Sequence, residues 1–94
     1  MQALVTGGAQ RVGRQISLSL AALGYDLVIH YHNSYNEAIL LQKEIQAMGV
    51  KCYIFKADLF VTKEIEALFA YAVSQLASLS LIVNNASIFE KISF

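Results

Sequence analysis

Leu4-Val5-Thr6-Gly7-Gly8-Ala9-Gln10-Arg11-Val12-Gly13-Arg14 is an apolar strand that stops at two glycines and enters an amphipathic helix a few residues later. That is the layout of a phosphate cradle. Gly7 and Gly8 can take backbone angles closed to other residues, and Gly13 lets the chain pass close to a ligand or a neighbouring strand. The helix start presents unpaired amides and a positive dipole end to an anion. The spacing is not the dinucleotide G-x-G-x-x-G, and the lysine of a P-loop is missing. An ordinary tight turn uses glycines in the same way, so the rest of the chain has to decide.

On the carboxyl side of this run, strands and helices alternate. Residues 2–6 read as the first strand. A helix follows from about Val12 to Leu23, with Val12, Ile16, Leu20 and Leu23 on one stripe and Gly24 as its carboxyl cap. Residues 26–31 form the second strand. Ser34 and Glu37 make a capping box for a helix that turns Ala38, Leu41, Ile45 and Met48 inward and stops at Gly49. Residues 51–56 form the third strand. Thr62 caps a helix with Ile65, Leu68, Phe69, Ala72 and Leu76 on its buried face, and residues 80–83 form the fourth strand. Near-continuous apolar strands separated by helices mean a parallel sheet covered on both faces. Right-handed crossovers give strand order 3-2-1-4, a Rossmann-type doubly wound α/β sheet cut after its fourth strand.

Composition narrows the functional classes. The chain has 94 residues, 56% of them hydrophobic, which is high for a free-standing soluble domain. No apolar run reaches the length of a membrane span, and no basic region followed by an apolar one marks a signal peptide. Net charge is zero, with the cations scattered, so a nucleic-acid surface is not expected. Cys52 is the only cysteine, which excludes an internal disulfide and fits a reducing cytoplasm.

The ligand crevice of such a sheet lies at the carboxyl ends of strands 1 and 4, where the order reverses. The glycine turn, the residues after the second strand and the turn Asn84-Asn85-Ala86-Ser87 converge there. NAD enzymes usually place an acid after the second strand to bind the ribose hydroxyls. Here the stretch is His30-Tyr31-His32-Asn33-Ser34, which would not repel a 2′-phosphate, and Arg11 and Arg14 stand at the opposing turn. The cofactor expected is therefore NADPH/NADP+. Of His30 and His32, one should point inward and one outward. A zinc site is not expected, because no third ligand is near.

Together these stretches resemble the pteridine reductase branch of the short-chain dehydrogenases. The residues that carry the resemblance are Thr6 to Gly13, His30 to Ser34, Asp58-Leu59 and Asn84 to Phe89. The first run is similar to the superfamily signature T-G-x-x-x-G-x-G, with Arg11 in place of the middle glycine. Serine at position 87, where the superfamily usually has the glycine of Asn-Asn-Ala-Gly, is a narrower sign. Bacterial dihydrofolate and dihydromonapterin reductases share part of the pattern.

The resemblance implies roles. Gly7, Val12 and Gly13 belong to the cradle. Arg11 would contact the cofactor phosphates and also face the pterin. His32, Asn33 and Ser34 would surround the 2′-phosphate. Asp58 would accept a hydrogen bond from the adenine amine, with Leu59 beside it. Asn85 and Ala86 would line the adenosine, Ser87 would lie at the nicotinamide and substrate, and Phe89 would stack on the pterin. Each has a plainer alternative: Asp58 could cap the loop before Thr62, Asn85 could satisfy backbone groups between strands, and Phe89 could be core.

The superfamily's proton-transferring Tyr-x-x-x-Lys pair is absent, because none of Tyr25, Tyr31, Tyr35, Tyr53 and Tyr71 has lysine four residues later. No catalytic residue is therefore assigned. The chain is expected to be the amino-terminal, cofactor-binding half of a reductase acting on a pteridine-like small molecule, inactive alone and homo-oligomeric, a tetramer by resemblance. A 3-oxoacyl carrier-protein or other carbonyl reductase, and a non-catalytic nucleotide-binding module, are the alternatives.

Overall fold

The computed structural model describes residues 1–86; Ser87 and Phe89 lie outside the described residues. The elements are β1 (Gln2–Thr6), α1 (Arg11–Ala22), β2 (Asp26–Tyr31), α2 (Tyr35–Ala47), β3 (Cys52–Lys56), α3 (Thr62–Gln75) and β4 (Leu81–Asn84). Among the described residues the strands form one parallel sheet in the order β3-β2-β1-β4. The fold class expected from the sequence is the fold observed.

The two-residue period of the strands explains the layers. Ala3 and Val5 of β1 and Leu27 and Ile29 of β2 join one core, with Ala21 of α1 and Ala38, Leu41 and Ile45 of α2. Leu4 and Val28, the alternate positions, join a second core with Leu68 and Ala72 of α3. The central strands are thus apolar on both faces. Register places Thr6 beside Asn84 and Tyr31 beside Lys56, so the strands release their loops along one edge of the sheet.

Several local expectations are corrected. The face that α1 buries is Gly13, Ser17 and Ala21, while Val12 and Leu23 are 66% and 69% exposed. Gly13 packs directly on the glycine turn and brings the start of α1 close to the sheet. Small residues at four-residue spacing then fit beneath, and Val12 rotates outward. Met48 lies beyond the end of α2 and is exposed, because Gly49 takes a positive φ of 93° there.

Ser34 occupies the cap position of α2 without a side-chain cap bond. Its backbone is outside the extended region from which a cap hydroxyl reaches the first turn. Helix α3 is entered through Val61 rather than Thr62. The loop is closed instead by Asp58, whose Oδ1 accepts from Phe60 N–H at 2.9 Å, and by Glu64, whose Oε1 accepts from Asp58 N–H at 2.8 Å. On α3, Leu68 and Ala72 are buried as expected, whereas Phe69 is partly exposed.

Leu68→Ala should cost about 2–5 kcal/mol in urea unfolding, because it empties a fully buried site against β1 and β2. Val73→Ala, on the exposed side of the same helix, should stay within about 0.5 kcal/mol. Equal losses would contradict the assigned face.

Candidate functional site: the glycine turn and the strand exits

The site is built around Gly7, which leaves β1 with a φ of 61°, in the left-handed region that favours glycine. Its peptide groups are held from both sides. The N–H donates to His30 Nδ1 at 3.0 Å, and the C=O accepts from Asn85 Nδ2 at 3.0 Å. Gly13 closes the turn from above: a Cβ there would stand 2.0 Å from Gly7 O. Ser17 Oγ lies 2.9 Å from Gly13 O and 3.1 Å from Gly8 O, so its one proton serves two carbonyls beneath the turn. Thr6 Oγ1 donates to Asn84 Oδ1 at 3.0 Å and accepts from Ala86 N–H at 3.2 Å, which ties the exits of β1 and β4 together.

Above this framework, α1 starts with no side-chain cap and no acid in its first turn. Its amides are therefore open to an anion. Arg11 begins the helix with φ 53°, an unusual angle for a non-glycine residue. The position needs left-handed backbone, which is why a glycine there is the unstrained choice. Arginine at such a strained position is a functional pointer. Arg14 is engaged, with its guanidinium 2.6 Å from the Glu44 carboxylate of α2. Both side chains are over a third exposed, so the pair adds little stability.

Two cavities meet the turn. One, about 70 Å³, is lined by Gly7, Ala9, Gln10, His30, Tyr31, His32 and Ser34. The other, about 290 Å³, runs over Arg11 and Arg14 to Glu37, Leu40 and Glu44. The structure therefore brings Gly7, His32 and Ser34 to one crevice. Asp58 stands at its side, with Oδ2 3.9 Å from His32 Nε2. Asn85 and Ala86 lie against Gly7 and Thr6. Val12 and Asn33 expose their side chains, as His32 does, and Leu59 lines an apolar groove with Ile65, Phe69 and Ile82 that also reaches Thr6 and Asn84 at the strand exits. Asp58 and Asn85 make the structural bonds that their plainer readings foresaw.

The histidines divide as expected, His30 buried and His32 exposed. The role of His30 was not foreseen. Its Nδ1 accepts from Gly7, so Nε2 carries the proton and donates to Ala57 O at 2.8 Å. A polar residue at an inward position of an apolar strand was the available signal. Burial holds the His30 pKa below its ordinary value; the bond to Ala57 opposes this and the neighbouring His32 adds to it. Cys52 is buried and its thiol is pushed up to about 12, so it is no nucleophile. Among the described residues no group of three His, Cys, Asp or Glu side chains could hold a metal, and no helix is long and apolar enough to cross a membrane.

A short-chain dehydrogenase family profile matches residues 1–94. The chain belongs to the short-chain dehydrogenase family. It is 40% identical over 86 residues to the 3-oxoacyl-[acyl-carrier-protein] reductase FabG of Staphylococcus aureus, covering 92% of this chain and 35% of that protein. It is 36% identical over 88 residues to a diacetyl reductase ((S)-acetoin forming) of Staphylococcus epidermidis, covering 92% of this chain and 33% of that protein. Among solved structures, FolM alternative dihydrofolate reductase 1 of Brucella canis, complexed with NADP, superposes with TM-score 0.85 at 34% identity over 94% of this chain and 35% of that one. A putative dehydrogenase of Burkholderia cenocepacia with bound NADP gives 0.83 at 28% identity, over 88% and 32%. The chain thus spans about a third of the length of the curated relatives it matches.

The His30 bonds predict a pH dependence. The unfolded imidazole titrates near its ordinary value of about 6.5, and the folded one below it. Between those values the unfolded state holds more protons, so stability rises with pH in that window. The His30 contribution is fully present above about pH 6.5 and is lost as pH falls through the folded value. Urea unfolding across that range should show this slope, and His30→Asn should flatten it. An identical slope in the variant would remove His30 as its source.

Proposed function

We propose that residues 1–94 form the NADP(H)-binding part of a reductase for pteridine or dihydrofolate-like small molecules. The observation that carries this is the crevice between the glycine turn and the β2 exit, where His32 and Ser34 stand with no carboxylate of that exit among the lining residues. The open α1 amides and Arg11 at the same turn fit the phosphates of a dinucleotide. NADP in the FolM and Burkholderia structures supports the same choice.

When bound, NADPH would supply the hydride. The residues of this chain hold and orient it. The α1 amides and Arg11 take the diphosphate, and His32 and Ser34 take the 2′-phosphate, with Asn33 nearby. Asp58 takes the adenine amine. Arg11 with Ser87 and Phe89 would face the substrate, and the proton would come from outside these residues. The holoenzyme is proposed to be a homo-oligomer, a tetramer, working in the reducing cytoplasm.

The FabG relationship favours a second reading, reduction of a 3-oxoacyl thioester. Arg11, the His-Tyr-His stretch and Ser87 favour the pteridine. Thermal shift in the presence of NADP+ separates them: stabilisation by dihydrobiopterin and not by an acetoacetyl thioester supports the first reading, and the reverse supports the second.

By calorimetry the protein should bind NADPH about tenfold or more tighter than NADH, and Arg11→Ala should narrow the gap. Tighter binding of NADH would contradict the assignment.

A further inference from the structure

Gly7 takes its left-handed angle without a Cβ to restrict it, so the turn must be restrained from outside. Two side chains do this, one from each strand flanking β1. Asn85, past β4, holds the carbonyl, and His30, on β2, holds the N–H. The opposite nitrogen of the same ring donates to Ala57 O, next to Asp58 at the exit of β3. Backbone bonds run parallel to this path: Gly8 N–H donates to His30 O at 3.1 Å, and Ala57 N–H to Tyr31 O at 3.0 Å. One imidazole therefore joins the exits of β1, β2 and β3.

We propose that His30 is a positioning residue of the cofactor site, fixing the Gly7 peptide so that the first turn of α1 faces the crevice in register with the Asp58 loop. This deepens the NADP(H) reading and rests on it for affinity, though not for the clamp itself. Removing the ring would orphan the Gly7 donor and the Ala57 acceptor together. The turn could then sample other glycine conformers, and an anion would have to reorder it on binding. His30 itself lines the crevice, with its ring nitrogens occupied by protein partners. Its neighbours that titrate are Tyr31 and His32 on the same strand exit and Asp58 beside Ala57; Arg11 stands at the start of α1 and Glu37 on α2.

Imidazole ¹⁵N spectra and amide exchange of the unsubstituted protein at pH 8 test the clamp without any cofactor. A neutral ring protonated at Nε2, with a protected Gly7 amide, is expected. The other tautomer, or a freely exchanging Gly7, would overturn the proposal. NADPH titration at pH 8 then compares His30→Leu, which loses the acceptor, with His30→Asn, whose Oδ1 can replace Nδ1. The leucine variant should lose about tenfold or more in affinity, with the asparagine variant keeping most of it. Equal losses, or no loss in either, would overturn it. Failure of the unsubstituted protein to bind NADPH would instead remove the cofactor reading, and the tautomer and exchange results would still decide the clamp.

Discussion

The two peptide groups that flank the Gly7 Cα are both pinned, N–H to His30 and C=O to Asn85, and the rest of the site takes its shape from that constraint. The constraint fixes where β1 ends. It also fixes how near α1 can start, because Gly13 touches Gly7 O with no room for a side chain. That contact in turn dictates small residues on the buried face of α1, Gly13, Ser17 and Ala21. A turn held this tightly spends its own donors inside the protein. What remains outward is the first turn of α1, whose dipole and free amides favour an anion. The glycines thus act as architecture more than as ligands.

The sheet supplies the other half of the constraint. Parallel order β3-β2-β1-β4 puts β2 and β4 on either side of β1, so their exits can reach Gly7 from opposite directions. Apolar packing on both faces makes the strand ends rigid enough to hold a strained turn. Electrostatics then distinguishes the regions around the turn. The crevice holds His32 and Ser34, whereas Arg14 is already committed to Glu44.

Much of this was legible in the residues. The continuous apolar runs Ala3 to Val5 and Leu27 to Ile29, alternating with helical stretches, and the glycine punctuation gave the order of elements and the topology. Gly7, His32, Ser34, Asn85 and Ala86 were placed by topology, since all fall at strand exits on one edge. Side-chain partners were not legible. Ser34 and Glu37 have capping-box spacing, but the backbone angle of Ser34 prevents the bond. Val12 and Leu23 fit a helical stripe, yet the Gly13 contact rotates α1 so that both are exposed. Leu59 follows Asp58 in sequence but turns toward the apolar side of the β1 and β4 exits, against Ile65, Phe69 and Ile82. His30 shows the limit clearly: the residues imply that one of the two histidines turns inward, but which one, and that its two partners lie on separate loops, only the fold decides.

In the proposed function, a rigid Gly7 turn presents the start of α1 and the β2 exit to NADP+. Backbone amide shift mapping during NADP+ titration tests it directly. The account predicts that Arg11, Val12, Gly13, His32 and Ser34 move while the Gly7 amide keeps its exchange protection. Shifts confined to the groove of Leu59, Phe69 and Ile82, or loss of Gly7 protection on binding, would contradict it.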